Sequence, residues 1–225
     1  MRTSGHRIKS YVLRQGRLTP AQKRSLERLW PHYGVDFKER LLDLESLFGC
    51  SAPVTLEIGF GNGDTLLQQA VSMPGTNFLG IEVHRPGVGH LLRLAAEAEL
   101  HNLRVINHDA VDVLNQQIPD NSLDCVQLFF PDPWHKKRHH KRRIVNPGFI
   151  KLVWRKLKAG GLFHLATDWQ GYAEHMLTLM AQAEGFSNTA GQGNYADAGE
   201  RPLTKFEQRG RRLGHGVWDL VFRKN

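Results

Sequence analysis

Three features of the 225-residue sequence predict an α/β fold built on a doubly wound, mostly parallel sheet. From residue 53 onward, short β-branched or apolar runs alternate with stretches of helical period, joined by short connections. The first run, 54–58, ends in the glycine-rich turn Gly59-Phe60-Gly61-Asn62-Gly63 and is followed by a helical pattern. The run 123–130 is apolar along most of its length, as suits a strand covered on both faces.

The elements follow in order. Residues 1–18 read as an extended basic arm without a clear period. Thr19-Pro20-Ala21-Gln22 predicts a helix start, with Thr19 as N-cap, proline in the first turn and Gln22 closing a capping box. A second start is expected at Asp36-Phe37-Lys38-Glu39, opening a helix that carries Leu41, Leu42, Leu44, Leu47 and Phe48 onto the main domain. Strands are then expected at 54–58, 77–83, 103–107, 123–130, 162–166 and 217–222. Helices are expected after the glycine turn and at 88–100, 149–157 and 172–183, with Gly160-Gly161 breaking the third of these. The division that results is a basic arm with appended helices over 1–50 and one domain over 51–225.

Glycines between a strand and a helix let the backbone turn tightly and approach a ligand with no Cβ in the way. Here the spacing is G-x-G-x-G, and Glu57 precedes it. An acid at that position fits a pyrophosphate poorly and a cofactor with a cationic amino group or sulfonium well. Taken alone, the motif is equally compatible with a plain tight turn. Glu82 closes the second strand, where a carboxylate can accept from both hydroxyls of a ribose, and Asp109 closes the third. Each could be a solvated loop acid; three at successive strand ends favour a nucleoside site in the crevice of the sheet.

The fourth strand runs into Pro131-Asp132-Pro133-Trp134 and then into Lys136, Lys137, Arg138, His139, His140, Lys141, Arg142 and Arg143. Asp132, stiffened by prolines on both sides, is expected to face the reacting centre. Trp134 offers a face on which a base could stack. A charge run is commonly a solvated surface. This one is bracketed by ordered elements and begins beside a candidate catalytic acid, so contact with nucleic acid is the expectation for 138–143. Positive charge is also concentrated in 1–28 and 201–225, whereas 51–130 holds nine acids against Arg85, Arg93 and Arg104. A protein that clamps a polyanion gains from that arrangement. His135, His139 and His140 include an i,i+4 pair, but crowded cations and the lack of a nearby cysteine oppose a divalent ion, so no metal is expected. Cys50 and Cys125 form no CxxC pair and suggest neither disulfide framework nor zinc site. With neither a signal peptide nor an apolar run of membrane length, a cytoplasmic location and no membrane partner are expected. At the fifth strand end, Asp168 is expected to cap the following helix and could also accept from a substrate base. The basic segment 201–216 reads as a second nucleic-acid contact.

Three other classes fit less well. A nicotinamide-dependent dehydrogenase would want G-x-G-x-x-G and leaves the basic run unexplained. A non-catalytic RNA-binding protein is the second alternative, decided by labelled methyl transfer to bulk tRNA. An enzyme methylating exocyclic amines typically carries Asn/Asp-Pro-Pro-aromatic, an order that Pro131-Asp132-Pro133-Trp134 lacks.

Together these motifs resemble those of the bacterial tRNA (guanine-N7-)-methyltransferases. The matching pieces are 56–63, 80–89, 131–143, Thr167-Asp168-Trp169, 201–223 and the opening stretch 10–17, so the likeness spans nearly the whole chain. The resemblance implies a class I methyltransferase, Rossmann-like fold: a seven-stranded, mostly parallel sheet with an antiparallel last strand and helices on both faces. It implies S-adenosylmethionine held at Glu57, Gly59, Gly61, Gly63, Glu82, Asp109 and Asp132. It implies substrate contacts from Lys136, Asp168, Thr204, Lys205, Phe206 and Glu207, and RNA contact along 138–143. The substrate it implies is a guanosine in the variable loop of tRNA, and a monomer is expected.

Overall fold

The computed structural model describes residues 8–12, 18–197, 199, 202, 207 and 216–225. Its centre is a seven-stranded sheet of β1 (Val54–Ile58), β2 (Asn77–Ile81), β3 (Leu103–Ile106), β4 (Leu123–Phe129), β5 (Leu157–Thr167), β6 (Phe186–Asn188) and β7 (Trp218–Lys224). The strand order is β3-β2-β1-β4-β5-β7-β6. All pairings from β3 to β5 are parallel, and β7 runs antiparallel to both β5 and β6. The chain reverses direction across the sheet between β1 and β4, which leaves a crevice at their carboxyl ends.

Helices cover both faces. On one side α1 (Pro20–Tyr33), α3 (Asp64–Ser72) and α4 (Arg85–Glu97) bury Leu26, Leu66, Leu91 and Leu92 against Phe78, Leu103 and Val105. On the other, α5 (Ala110–Gln116), α6 (Pro147–Lys156) and α7 (Gln170–Ala181) bury Leu114, Phe149, Val153 and Met176 against Leu56, Val126, Phe163 and Leu165. β1 and β2 are buried at every residue, including the polar Thr55, Glu57 and Asn77, as suits strands covered on both faces.

The capping box at Thr19 forms as its sequence predicts: Thr19 Oγ1 accepts from Gln22 N, and Gln22 Oε1 accepts from Thr19 N. The second helix departs from expectation. No helix starts at Asp36; α2 covers only Leu44–Phe48, with Asp43 as its cap. The backbone of 35–42 is drawn out along the domain, because Val35 N donates to Val105 O and Leu42 N to Gln117 O. Asp36 is occupied at both ends: its side chain accepts from Trp30 Nε1 at 2.8 Å and its carbonyl from Gln117 Nε2. The Gly160-Gly161 pair does not separate α6 from the fifth strand either. β5 starts directly after α6, and the glycines form a bulge between the pairings Leu123↔Leu157 and Cys125↔Leu162. Among the described residues no helix is long and apolar enough to cross a membrane.

Thr19→Ala removes one half of the capping box and should lower unfolding stability by about 1 kcal/mol. A urea midpoint equal to that of the parent would show that the box contributes nothing.

Candidate active site

The carboxyl ends of β1, β2 and β3 bring together the three acids that the sequence singles out. Glu57, Glu82 and Asp109 are only 3%, 8% and 7% exposed, which removes the alternative of solvated loop acids. Glu82 stands one residue past β2, and its carboxylate accepts three backbone N–H groups. Oε2 takes Gly61 at 2.8 Å; Oε1 takes Val83 at 2.6 Å and His84 at 2.8 Å. It thereby pins the glycine turn to the neighbouring strand end. A carboxylate offers about four acceptor sites, so capacity remains for a hydroxyl donor. Asp109 Oδ1 accepts from Val111 N at 2.9 Å and caps α5.

The turn itself presents bare backbone. Gly59 and Gly61 have φ of 74° and 60°, and a Cβ added at either would meet nothing within 4 Å. Gly87, in the first turn of α4, backs the cradle: a Cβ there would stand 1.9 Å from the Gly61 carbonyl oxygen. A side-chain-free cradle beside three buried carboxylates fits a ligand with ribose hydroxyls and a cationic end, and opposes one with phosphates.

The acceptor loop after β4 is held in an unusual conformation. Phe130 and Trp134, on either side of Pro131-Asp132-Pro133, lie in the left-handed region with φ of 50° and 48°. Non-glycine residues there cost about 1–2 kcal/mol each, and they persist only where the surroundings impose them. Three bonds do so. Phe130 N donates to Ala166 O at 2.8 Å, Trp134 Nε1 to Ser10 O at 3.1 Å, and Arg143 Nε to Pro133 O at 2.9 Å. Asp132 is exposed at the apex.

Arg143 corrects an expectation. The basic run predicts RNA contact for it, yet it is buried, with its guanidinium 4.7 Å from the centre of the Tyr172 ring and within 3.2 Å of His140 Nε2. Its charge faces inward and braces the acceptor loop. Arg138 and Lys141 are exposed in the 3₁₀ turn Lys137–Arg142, while His139 and His140 are half-buried. Partial burial and then the neighbouring cations Arg138, Arg142, Lys136 and Lys141 lower the pKa of His139, which favours its neutral form. Trp134 is no open stacking platform, because Arg142 lies 4.9 Å over its ring and His139 meets it edge-on. The exposed aromatic at this edge is Trp169, whose ring contacts His135 at 4.2 Å.

Asp168 does not cap α7. The cap position is Trp169, without a side-chain cap bond, and Asp168 is half-buried just past β5. Lys136 is exposed beside the acceptor loop, and Glu207 is fully buried. Thr204, Lys205 and Phe206 lie outside the described residues, as does most of 201–216. Among the described residues no group of His, Cys, Asp and Glu could hold a metal ion. Sequence reasoning missed Tyr11. This phenol lies beside Asp109, and burial and then the charge of that carboxylate raise its pKa. A lone tyrosine in a basic arm gave no signal for that placement.

A family profile described as "Putative methyltransferase" matches residues 51–220. The chain is 60% identical over 219 residues to a tRNA (guanine-N(7)-)-methyltransferase of Aeromonas hydrophila, covering 97% of this chain and 92% of the relative. It is 61% identical, with the same coverage, to the tRNA (guanine-N(7)-)-methyltransferase of Sodalis glossinidius. Among solved structures, the 16S rRNA methyltransferase KamB superposes with a TM-score of 0.60 at 15% identity, over 83% of this chain and 95% of that one. That likeness is one of fold.

Gly87→Ala should push α4 away from the glycine turn. Overpacking of this kind costs about 1–3 kcal/mol, and a ligand held by the turn should bind more weakly. A variant with parental melting temperature and ligand affinity would contradict the packing described.

Proposed function

The chain belongs to the family of tRNA (guanine-N(7)-)-methyltransferases, and from that premise we propose how its residues transfer a methyl group to N7 of a guanosine in the variable loop of tRNA. The observation that carries the reading is the pairing of a buried carboxylate cradle with an exposed aspartate on a clamped loop at the same sheet edge.

S-adenosylmethionine, when bound, supplies an electrophilic methyl group on a sulfonium centre. In this reading Glu82 accepts from ribose hydroxyls, Asp109 closes the nucleoside end, and Glu57 faces positive charge beside the bare backbone of Gly59 and Gly61, while Gly63, packed on Leu91, opens α3. Guanine N7 carries a free lone pair at neutral pH, so no residue has to remove a proton before it attacks. The protein's work is alignment and the accommodation of positive charge arriving on the purine. Asp132 can do both, since its carboxylate accepts from a base edge and offsets the developing cation. It is also a candidate for cofactor binding. Asp168 and Glu207 are candidates for reading the guanine N1–H and exocyclic amine, and Lys136 with Thr204, Lys205 and Phe206 for holding the nucleotide. Trp169 offers the stacking face for a base drawn out of the tRNA, at a cost of a few kcal/mol for unstacking. Arg138, His139, His140, Lys141 and Arg142 then meet phosphates. We place the catalytic domain at 51–225, with 1–50 appended, in a monomer that works in the cytoplasm.

Asp132→Ala separates these roles when cofactor affinity and methyl transfer are measured independently. A loss of about 10²–10³-fold in kcat at saturating tRNA is expected. Undiminished turnover would remove Asp132 from the reaction.

A further inference from the structure

A cleft of about 500 Å³ opens between α5, the 3₁₀ turn and α6, beside the acceptor loop. Its lining includes Lys141, Arg142, Arg143, Lys151 and Arg155, and no carboxylate among the described residues. Arg143 turns inward, so the charge available to a ligand comes from the other four. Two of these belong to α6. That helix buries Phe149, Ile150, Leu152 and Val153 and exposes Lys151 and Arg155, one turn apart on the same face. Lys151 makes no ion pair among the described residues. Arg155 reaches Asp120 at 3.1 Å, but buried Lys156 holds the same carboxylate at 2.6 Å. One acid is thus shared by two cations, and a net positive charge remains at the cleft.

Like charges gathered this closely repel one another, and a polyanion relieves that repulsion while releasing its counterions. The cleft is continuous with the proposed RNA-contacting turn through Lys141 and Arg142. Its far wall is formed by Ile8 and Ser10 of the arm, and the Ser10 carbonyl is bound by Trp134 of the acceptor loop. The arm thus joins the cleft to the loop that carries Asp132.

We infer that this cleft is a second RNA site, in which Lys151 and Arg155 of α6 bind the phosphodiester backbone of the substrate tRNA beyond the reacting nucleotide. The inference rests on tRNA being the substrate. Phosphate contacts of this kind set register and affinity without reading sequence.

The test compares the parent with K151E, with the double variant K151A/R155A and with K151R, measuring KM for tRNA and the salt dependence of tRNA binding. The double variant should raise KM several-fold, and each lost contact should reduce the log–log salt slope by about 0.9. K151R should keep both values. The single K151E change alters an exposed side chain without an ion pair among the described residues, so it reports on binding even if R155A disturbs Asp120. Parental KM and slope in both K151E and K151A/R155A would overturn the assignment. Failure of the parent itself to methylate tRNA would instead overturn the reading on which the cleft depends.

Discussion

The acceptor loop depends on one buried cation. Arg143 donates Nε to the carbonyl of Pro133 and spreads its guanidinium over Tyr172, and between them these contacts fix the far end of the loop that carries Asp132. Alongside that brace, the β5 carbonyl of Ala166 and the arm carbonyl of Ser10 hold the two left-handed residues, Phe130 and Trp134, against their strain. A buried guanidinium is expensive unless its donors are used, and here a backbone carbonyl, a histidine nitrogen and an aromatic face use them. Burial lowers the pKa of Arg143, but not into a range where its charge is lost.

The same logic of fixed backbone runs through the cofactor side. Glu82 ties the glycine turn to the end of β2, Gly87 lets α4 pack on it, and Asp109 joins the cap of α5 to the crevice. Glu82 and Asp109 thus hold protein groups in place at the edge where we propose the cofactor binds. Pre-setting both halves suits a methyl transfer in which no proton has to be removed first and in which geometry carries most of the task.

Much of this was legible in the sequence. Strands buried on both faces write themselves as apolar runs, the turn needs its glycines, and acids at strand ends line up because parallel strands end along one edge. The sixth strand was not legible, since Phe186–Asn188 is three residues long and carries no pattern. Asp36 resembled a helix start because capping chemistry reads the same whether or not the chain that follows is drawn out by Val105 and Gln117. The basic run concealed the most. Arg142 and Arg143 are adjacent and chemically alike, yet one lies half-buried over Trp134 and the other is buried beneath the loop. Arg143 is drawn inward by the Tyr172 ring and the Pro133 carbonyl, and α7 supplies the tyrosine from about thirty residues downstream.

Arg143 braces the acceptor loop from the buried side, a placement that predicts no contact with RNA. Measuring both kcat and the salt slope of tRNA binding for Arg143→Met tests it directly. The account predicts a large fall in kcat with a salt slope equal to that of the parent. A slope reduced by about one with kcat retained would contradict it and return Arg143 to the RNA interface.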